Sequence, residues 1–243
     1  MLIGITKKLR QLFSKKWPLT QEEKFKFEIK YGYPSNHTYQ ISGEKLKPRY
    51  KLAQRYQRIQ RLFPENVTSM VDIGCSKGYF VFSMSNLPTC TRNLGIDIHQ
   101  DDIDVCGYVK KILQNNRVNF GKMQLHELAN TIDQFGGKFQ TVLLLNIYQY
   151  LYFGSAAHPE CYRDHDSIFA NLKKICSQRV IFNNRIDFSD CQKQVKLLQT
   201  PSQYSENYTA EKILSAAEKY FSIKEYGTFG KYPLLALDIA HSD

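Results

Sequence analysis

From Val67 onward, short runs rich in β-branched and aromatic residues alternate with amphipathic stretches, and no other feature constrains the fold as tightly. Strands separated by helix-length segments pair in parallel, because each crossover must carry the chain back to the same end of the sheet. The pattern predicts strands over 68–73, 92–97, 117–121, 139–146 and 179–185, with helices near 78–87, 101–114, 124–134, 165–176 and 208–220. Two more strands, 222–228 and 233–240, fold back on one another at Gly230 and Lys231. The expected architecture is an α/β sheet of about seven strands, mostly parallel, closed by a C-terminal antiparallel pair.

The first of these strands runs into Asp72-Ile73-Gly74-Cys75-Ser76-Lys77-Gly78 and then a helix. Glycines in such a turn let the backbone approach a ligand closely, and free N–H groups at the helix start favour one with a negative group. The dinucleotide pattern G-x-G-x-x-G fails, since Ser76 and Tyr79 fall where its second and third glycines belong, and no Walker loop is present. What remains is D-x-G-x-x-x-G. The second strand ends in Asp97, followed by Ile98 and His99, and an acid at that place can accept both hydroxyls of a ribose.

Turn, acid, element order and closing strand pair together resemble the class I S-adenosylmethionine-dependent methyltransferases over roughly residues 65–240. The resemblance implies a three-layer Rossmann-like fold and S-adenosyl-L-methionine as cofactor. It implies that Asp72, Gly74, Cys75, Ser76 and Gly78 line the methionine moiety, with Lys77 near its carboxylate, and that Asp97 with Ile98 holds the ribose. Ser76 replaces the family's middle glycine, a change of little cost if Ser76 keeps an ordinary φ. Where the family often has an acid facing adenine, this chain has Lys122-Met123-Gln124, leaving Met123 to pack on the ring and Gln124 as its polar partner.

Ligands of open α/β sheets bind outside the strand C-termini, which places the reaction centre after the fourth strand, in Asn146-Ile147-Tyr148-Gln149-Tyr150-Leu151-Tyr152-Phe153. There is no Asn-Pro-Pro-aromatic tetrad and no Pro-Cys pair, which disfavours nucleobase amino methylation and covalent cytosine chemistry. Asn146 stands where ribose-methylating RNA enzymes carry an Asp. The candidates near the acceptor are Asn146 (also a possible donor contact), Tyr148, Tyr150 and, on the fifth strand, Arg185, for which a salt bridge with Asp187 or Asp190 is the competing use. His158 and His165, in the insertion that follows, are candidate general bases. Tyr152 and Phe153 are either pocket wall or ordinary core. No metal site is expected, because neither His nor Cys recurs at ligand spacing.

Charge is unevenly placed. The net charge is +10, yet residues 1–60 hold 14 basic and 4 acidic residues while the remainder hold 19 of each. A localised positive field suits a polyanion, and tyrosines interleaved with the cations suit RNA. We read 1–47 as a basic, loop- and helix-containing extension and 48–243 as the donor-binding methyltransferase domain. In the extension, Leu2, Ile5, Leu9 and Leu12 form a helical stripe that either docks on the main domain or, less readily, rests on a membrane. A second stripe, Leu52, Tyr56, Ile59 and Phe63, packs on the core. Residues 1 to about 40 are expected to recruit the acceptor without building the donor site.

Six scattered cysteines without a CxxC pair read as reduced thiols with no disulfide partner. Lysines interrupt the N-terminal apolar residues too early for a signal peptide, so a cytoplasmic location is expected. The acceptor stays open between RNA, protein and a small anionic or sugar-bearing molecule, the insertion at 148–164 being of a size to suit the last. The competing class is a non-catalytic donor-binding module tethered to RNA or membrane by the basic segment.

Overall fold

The computed structural model describes residues 19–155, 158–198 and 203–239. Its seven-stranded sheet is built from β3 (Ser69–Ile73), β4 (Arg92–Asp97), β5 (Val118–Lys122), β6 (Phe139–Leu145), β7 (Cys176–Asn183), β8 (Phe221–Phe229) and β9 (Tyr232–Ile239). The spatial order is β5-β4-β3-β6-β7-β9-β8; β9 runs antiparallel to both of its neighbours and the other pairs are parallel. This is the predicted α/β sheet, with strand ends within about three residues of expectation. The order reverses at β3, whose C-terminal end faces β4 on one side and β6 on the other, so a ligand crevice opens at that edge.

Every residue of β3 is buried, and alternation sends successive side chains into different cores. Val71 and Ile73 join the core beneath α5 (Leu125–Asn130), α7 (His165–Ile175) and α8 (Ala210–Glu218). Met70 joins the opposite core beneath α2 (Tyr50–Gln60), α3 (Tyr79–Ser85) and α4 (Gln100–Ile112). The helix predicted over 124–134 stops at Asn130, then continues as a 3-10 turn over Ile132–Phe135 that ends on Gly136 and Gly137, both at positive φ. α7 passes into β7 without a loop, which starts that strand at Cys176, three residues earlier than read.

The front of the chain differs more. Its first predicted helix, around Leu2–Leu12, lies outside the described residues. The extension read as loop- and helix-containing holds α1 (Gln21–Tyr31), opened by a reciprocal capping box between Thr20 and Glu23, and a hairpin of β1 (Tyr39–Ser42) and β2 (Lys45–Pro48) turning at Gly43. The boundary read after residue 47 falls inside β2. α2 carries the second apolar stripe and buries its Leu52 and Ile59, but Arg55 is buried with them. Arg179 of β7 holds Asp238 of β9 through two nitrogens, at 2.5 and 2.8 Å, and donates a third bond to the Leu62 carbonyl at 2.9 Å. The α2 end and the two strands are thereby joined.

Candidate functional site

The turn after β3 is fixed from both sides. The N–H groups of Gly74 and Cys75 both donate to the Ile96 carbonyl, at 2.8 and 2.9 Å. Gly74, Ser76 and Gly78 all take positive φ, at 73°, 48° and 75°. Ser76 therefore does not keep the ordinary φ that its replacement of glycine was expected to allow. Its left-handed backbone is held because its N–H donates to Asp97 Oδ2 at 2.8 Å. A Cβ on Gly74 would lie 2.6 Å from Ile147 Cγ2, and one on Gly78 would lie 2.8 Å from Phe120 and 2.9 Å from Cys106 Sγ. The glycines are thus required by packing within the protein as well as by any ligand.

Asp97 closes this arrangement. Its second oxygen accepts the His99 N–H at 3.0 Å, and burial raises its pKa against the opposing pull of the two backbone donors. Each carboxylate oxygen has a second lone pair, so acceptor capacity remains beyond these bonds. Beyond Asp97, the Met123 N–H donates to the Asp97 carbonyl at 3.1 Å, and the Gln124 amide donates to Glu160 at 2.7 Å. His158 sits edge-on to His99, ring centres 5.5 Å apart. The second half of the insertion, which was read as suiting an acceptor, thus folds over the β4 and β5 ends, the side on which Asp97 would hold a ribose.

The front segment is part of the site's walls. The Tyr39 hydroxyl donates to the Lys77 carbonyl at 2.6 Å, and the Lys77 ammonium donates to the Tyr33 carbonyl at 2.8 Å. Lys77 is 1% exposed, and Asp102 Oδ1 lies 3.4 Å from its ammonium. Its charge is directed at the front segment and α4, an environment the sequence did not disclose. A cavity of about 20 Å³, room for one water-sized group, separates Asp72 and Gly74 from His37, Leu52 and Arg55. Burial pushes the Asp72 carboxyl up to about 8, although Arg55 opposes the shift. Burial also pushes Arg55 down to about 10 and His37 down to about 3. Arg55 Nε and Nη2 are buried without a hydrogen-bond partner, at a cost of about 1–3 kcal/mol for each unmade bond.

At the next two strand ends, Asn146 takes φ 65° and donates its N–H to the Asn183 carbonyl at 2.9 Å, while its Oδ1 is buried without a partner. Asn184 fixes the turn between β6 and α6 (Tyr148–Phe153). Its Oδ1 accepts the Ile147 and Tyr148 N–H groups at 2.8 and 3.0 Å, and its Nδ2 donates to the Leu144 carbonyl at 2.6 Å. The Arg185 guanidinium lies over the Tyr232 ring at 4.7 Å, with Nε and Nη1 buried and unpartnered. Among the described residues it forms no salt bridge with Asp187 or Asp190. Tyr150, half-buried, is near enough to Arg185 and Tyr33 for both to perturb its pKa, which burial raises.

Two candidates leave the site. Tyr148 is fully buried, and its hydroxyl meets His165 Nδ1 at 2.8 Å, while His165 Nε2 meets the Asn207 carbonyl at 3.0 Å. One tautomer satisfies both contacts: Nε2–H donates to Asn207, and Nδ1 accepts from Tyr148. Burial lowers the His165 pKa. His165 stacks on Tyr148 and Tyr152 and packs beside Tyr208, which lies against Phe153, so both candidates are placed in aromatic core away from the carboxyl edge. Tyr152 and Phe153 are likewise core and not pocket wall. Asn146, Tyr150 and Arg185 stay together at the carboxyl edge, and His158 lies on the Asp97 side. Among the described residues no group of His, Cys, Asp or Glu is arranged to hold a metal.

No family model matches this chain, and no curated protein does. Solved structures do. The bifunctional kinase-methyltransferase WbdD superposes with a TM-score of 0.54 at 16% identity, covering 77% of this chain and 40% of WbdD. This chain therefore spans well under half of that relative. The N-methyltransferase NodS from Bradyrhizobium japonicum WM9 gives a TM-score of 0.53 at 14% identity, covering 80% of this chain and 98% of NodS, and NodS has also been crystallised with S-adenosyl-L-homocysteine. The chain shares its fold with these two methyltransferase structures. No helix among the described residues is long and apolar enough to cross a membrane.

Proposed function

We propose that the protein is an S-adenosylmethionine-dependent methyltransferase. The observation that carries this reading is the turn of left-handed residues after β3, tied through the Ser76 N–H to a buried acid at the end of β4, at the point where the strand order reverses. A nucleoside fits that edge, with Asp97 and Ile98 at its ribose, Met123 and Gln124 toward its base, and Gly74, Cys75, Ser76 and Gly78 along its amino-acid end. Lys77, bound to Tyr33 and Asp102, holds the turn and does not reach for the carboxylate.

The donor supplies an electrophilic methyl group when bound. The protein's own work is orientation and exclusion of water, with the acceptor arriving over the β6 and β7 ends beside Asn146, Tyr150 and Arg185. Titration calorimetry with S-adenosylmethionine and S-adenosylhomocysteine is the first test, followed by labelled donor with fractionated cell extract. Folded protein that binds neither compound overturns the reading, whereas donor binding without transfer to any fraction favours the non-catalytic module.

A further inference from the structure

Three tyrosines of the basic front segment stand out into solvent. Tyr31, Tyr33 and Tyr50 are 41%, 70% and 76% exposed, whereas Tyr39 is buried and Tyr56 half-buried. Arg49 Nη2 donates to the Lys30 carbonyl at 3.2 Å, tying the end of α1 to the start of α2, and this brings Tyr31 and Tyr50, the next residue along from each partner, to one junction. Tyr33 carries the surface on to the turn after β3, because its carbonyl accepts the Lys77 ammonium at 2.8 Å. Cations are set among the rings. Between Lys30 and Arg61 the chain has eight lysines and arginines against one acid, Glu44, and of the eight only Arg55 is buried. The Lys30 ammonium lies 5.1 Å from the centre of the Tyr31 ring, which Phe27 backs at 5.5 Å.

We infer that this surface seats a single strand of RNA, the acceptor of the proposed methyl transfer. Rings that project from a protein cannot reach bases paired inside a duplex, but an unpaired base stacks on them, and cations between the rings meet the phosphates that join successive bases. RNA is the polymer that presents such bases, in loops, bulges and ends. A lipid surface is a poorer match, since aliphatic side chains must enter it, and among the described residues from 19 to 61 the exposed large apolar side chains are these three tyrosines. The bond from Tyr33 to Lys77 sets where the strand leads. A base stacked at Tyr33 lies next to the donor turn, so the neighbouring nucleotide arrives at the carboxyl edge of the sheet. The word acceptor rests on the methyltransferase reading; the surface itself does not.

Fluorescence anisotropy of the full chain with a labelled RNA of about 12 nucleotides, the same RNA annealed to its complement, and its deoxy counterpart tests the surface. Two variants, Y31A/Y50A and K30Q/K51Q, change exposed side chains and leave the Arg49 and Lys77 bonds in place. The single-stranded RNA should bind at least roughly 10-fold tighter than the duplex and no more weakly than the deoxy strand. Y31A/Y50A should lose roughly 10-fold or more in affinity for it, and K30Q/K51Q should flatten the slope of log affinity against log salt by about 1.4, or about 0.7 for each lost phosphate contact. Affinity for S-adenosylhomocysteine, measured by calorimetry, should be unchanged in both. Tighter binding of the duplex or the deoxy strand, or wild-type RNA affinity in Y31A/Y50A, overturns the inference. So does loss of binding to phosphatidylserine vesicles in the variants with RNA affinity kept, which gives the surface to a membrane. With labelled S-adenosylmethionine and total cellular RNA, Y31A/Y50A should raise KM for RNA and keep kcat, and label that enters only protein or small molecules overturns RNA as acceptor. RNA binding by folded protein that binds no S-adenosylhomocysteine defeats the methyltransferase reading and leaves the surface standing, whereas S-adenosylhomocysteine binding without RNA binding does the reverse.

Discussion

Asp97 and Asp72 are both buried acids at the sheet's edge, yet they should respond differently to neutralisation. Asp97 accepts two backbone N–H groups, and in D97N one of those donors must face an amide NH₂. The expected cost is about 1–3 kcal/mol in urea unfolding, with S-adenosylhomocysteine affinity falling roughly 10- to 100-fold by calorimetry. Unchanged affinity in folded D97N removes Asp97 from the ribose. Asp72 should affect the pH profile. Its folded pKa, about 8, is above the unfolded value near 4, so the native state binds the extra proton and stability falls as pH rises between those values. His37, lowered to about 3, acts oppositely, its contribution growing up to about pH 6.5. The Asp72 slope should therefore emerge most clearly between about pH 6.5 and 8, at no more than roughly 1.4 kcal/mol per unit. D72N should flatten that portion of a urea-midpoint profile, and parallel profiles for D72N and wild type exclude the assignment.

Among the elements, the front segment departs most from its sequence reading. Tyr33 and Tyr39 lie on either side of Lys77, so a chain lacking residues through Asn36 loses the acceptor of the Lys77 ammonium. Such a truncation should weaken S-adenosylhomocysteine binding as well as acceptor recruitment, and donor affinity equal to that of the full chain rules out a structural role for this segment in the donor site. The sheet was legible because strand alternation and β-branched runs are local signals, and so was the turn, because Gly74, Gly78 and Asp97 carry their meaning in their spacing. α1 could have been read from Thr20 and Glu23, which form its capping box. The burial of Arg55 could not, since its position on a basic helix beside Leu52 and Ile59 suggests solvent until α3 and the turn are folded against it. His165 misled for the same reason: the Tyr148 hydroxyl and the Asn207 carbonyl that occupy it are distant in sequence.

Across the whole molecule, the Arg179 link couples the front of the chain to the last strand. R179M severs the bonds to Asp238 and Leu62 together and should cost about 2 kcal/mol in denaturant unfolding. Loss within a few tenths of a kcal/mol would reduce the link to an ordinary surface pair. The strand order also has a consequence during synthesis. β9 lies between β7 and β8, so the outer edge of β7, with Val180, Ile181 and Phe182 in the sheet core, cannot be paired until Tyr232–Ile239 has left the ribosome. At about 5–20 residues per second, the roughly 50 residues between β7 and β9 take several seconds to make. Throughout that interval the nascent protein presents an unpaired apolar edge, the form in which strands join other chains, and its yield in a cell is set by what shields that edge until the last strand arrives.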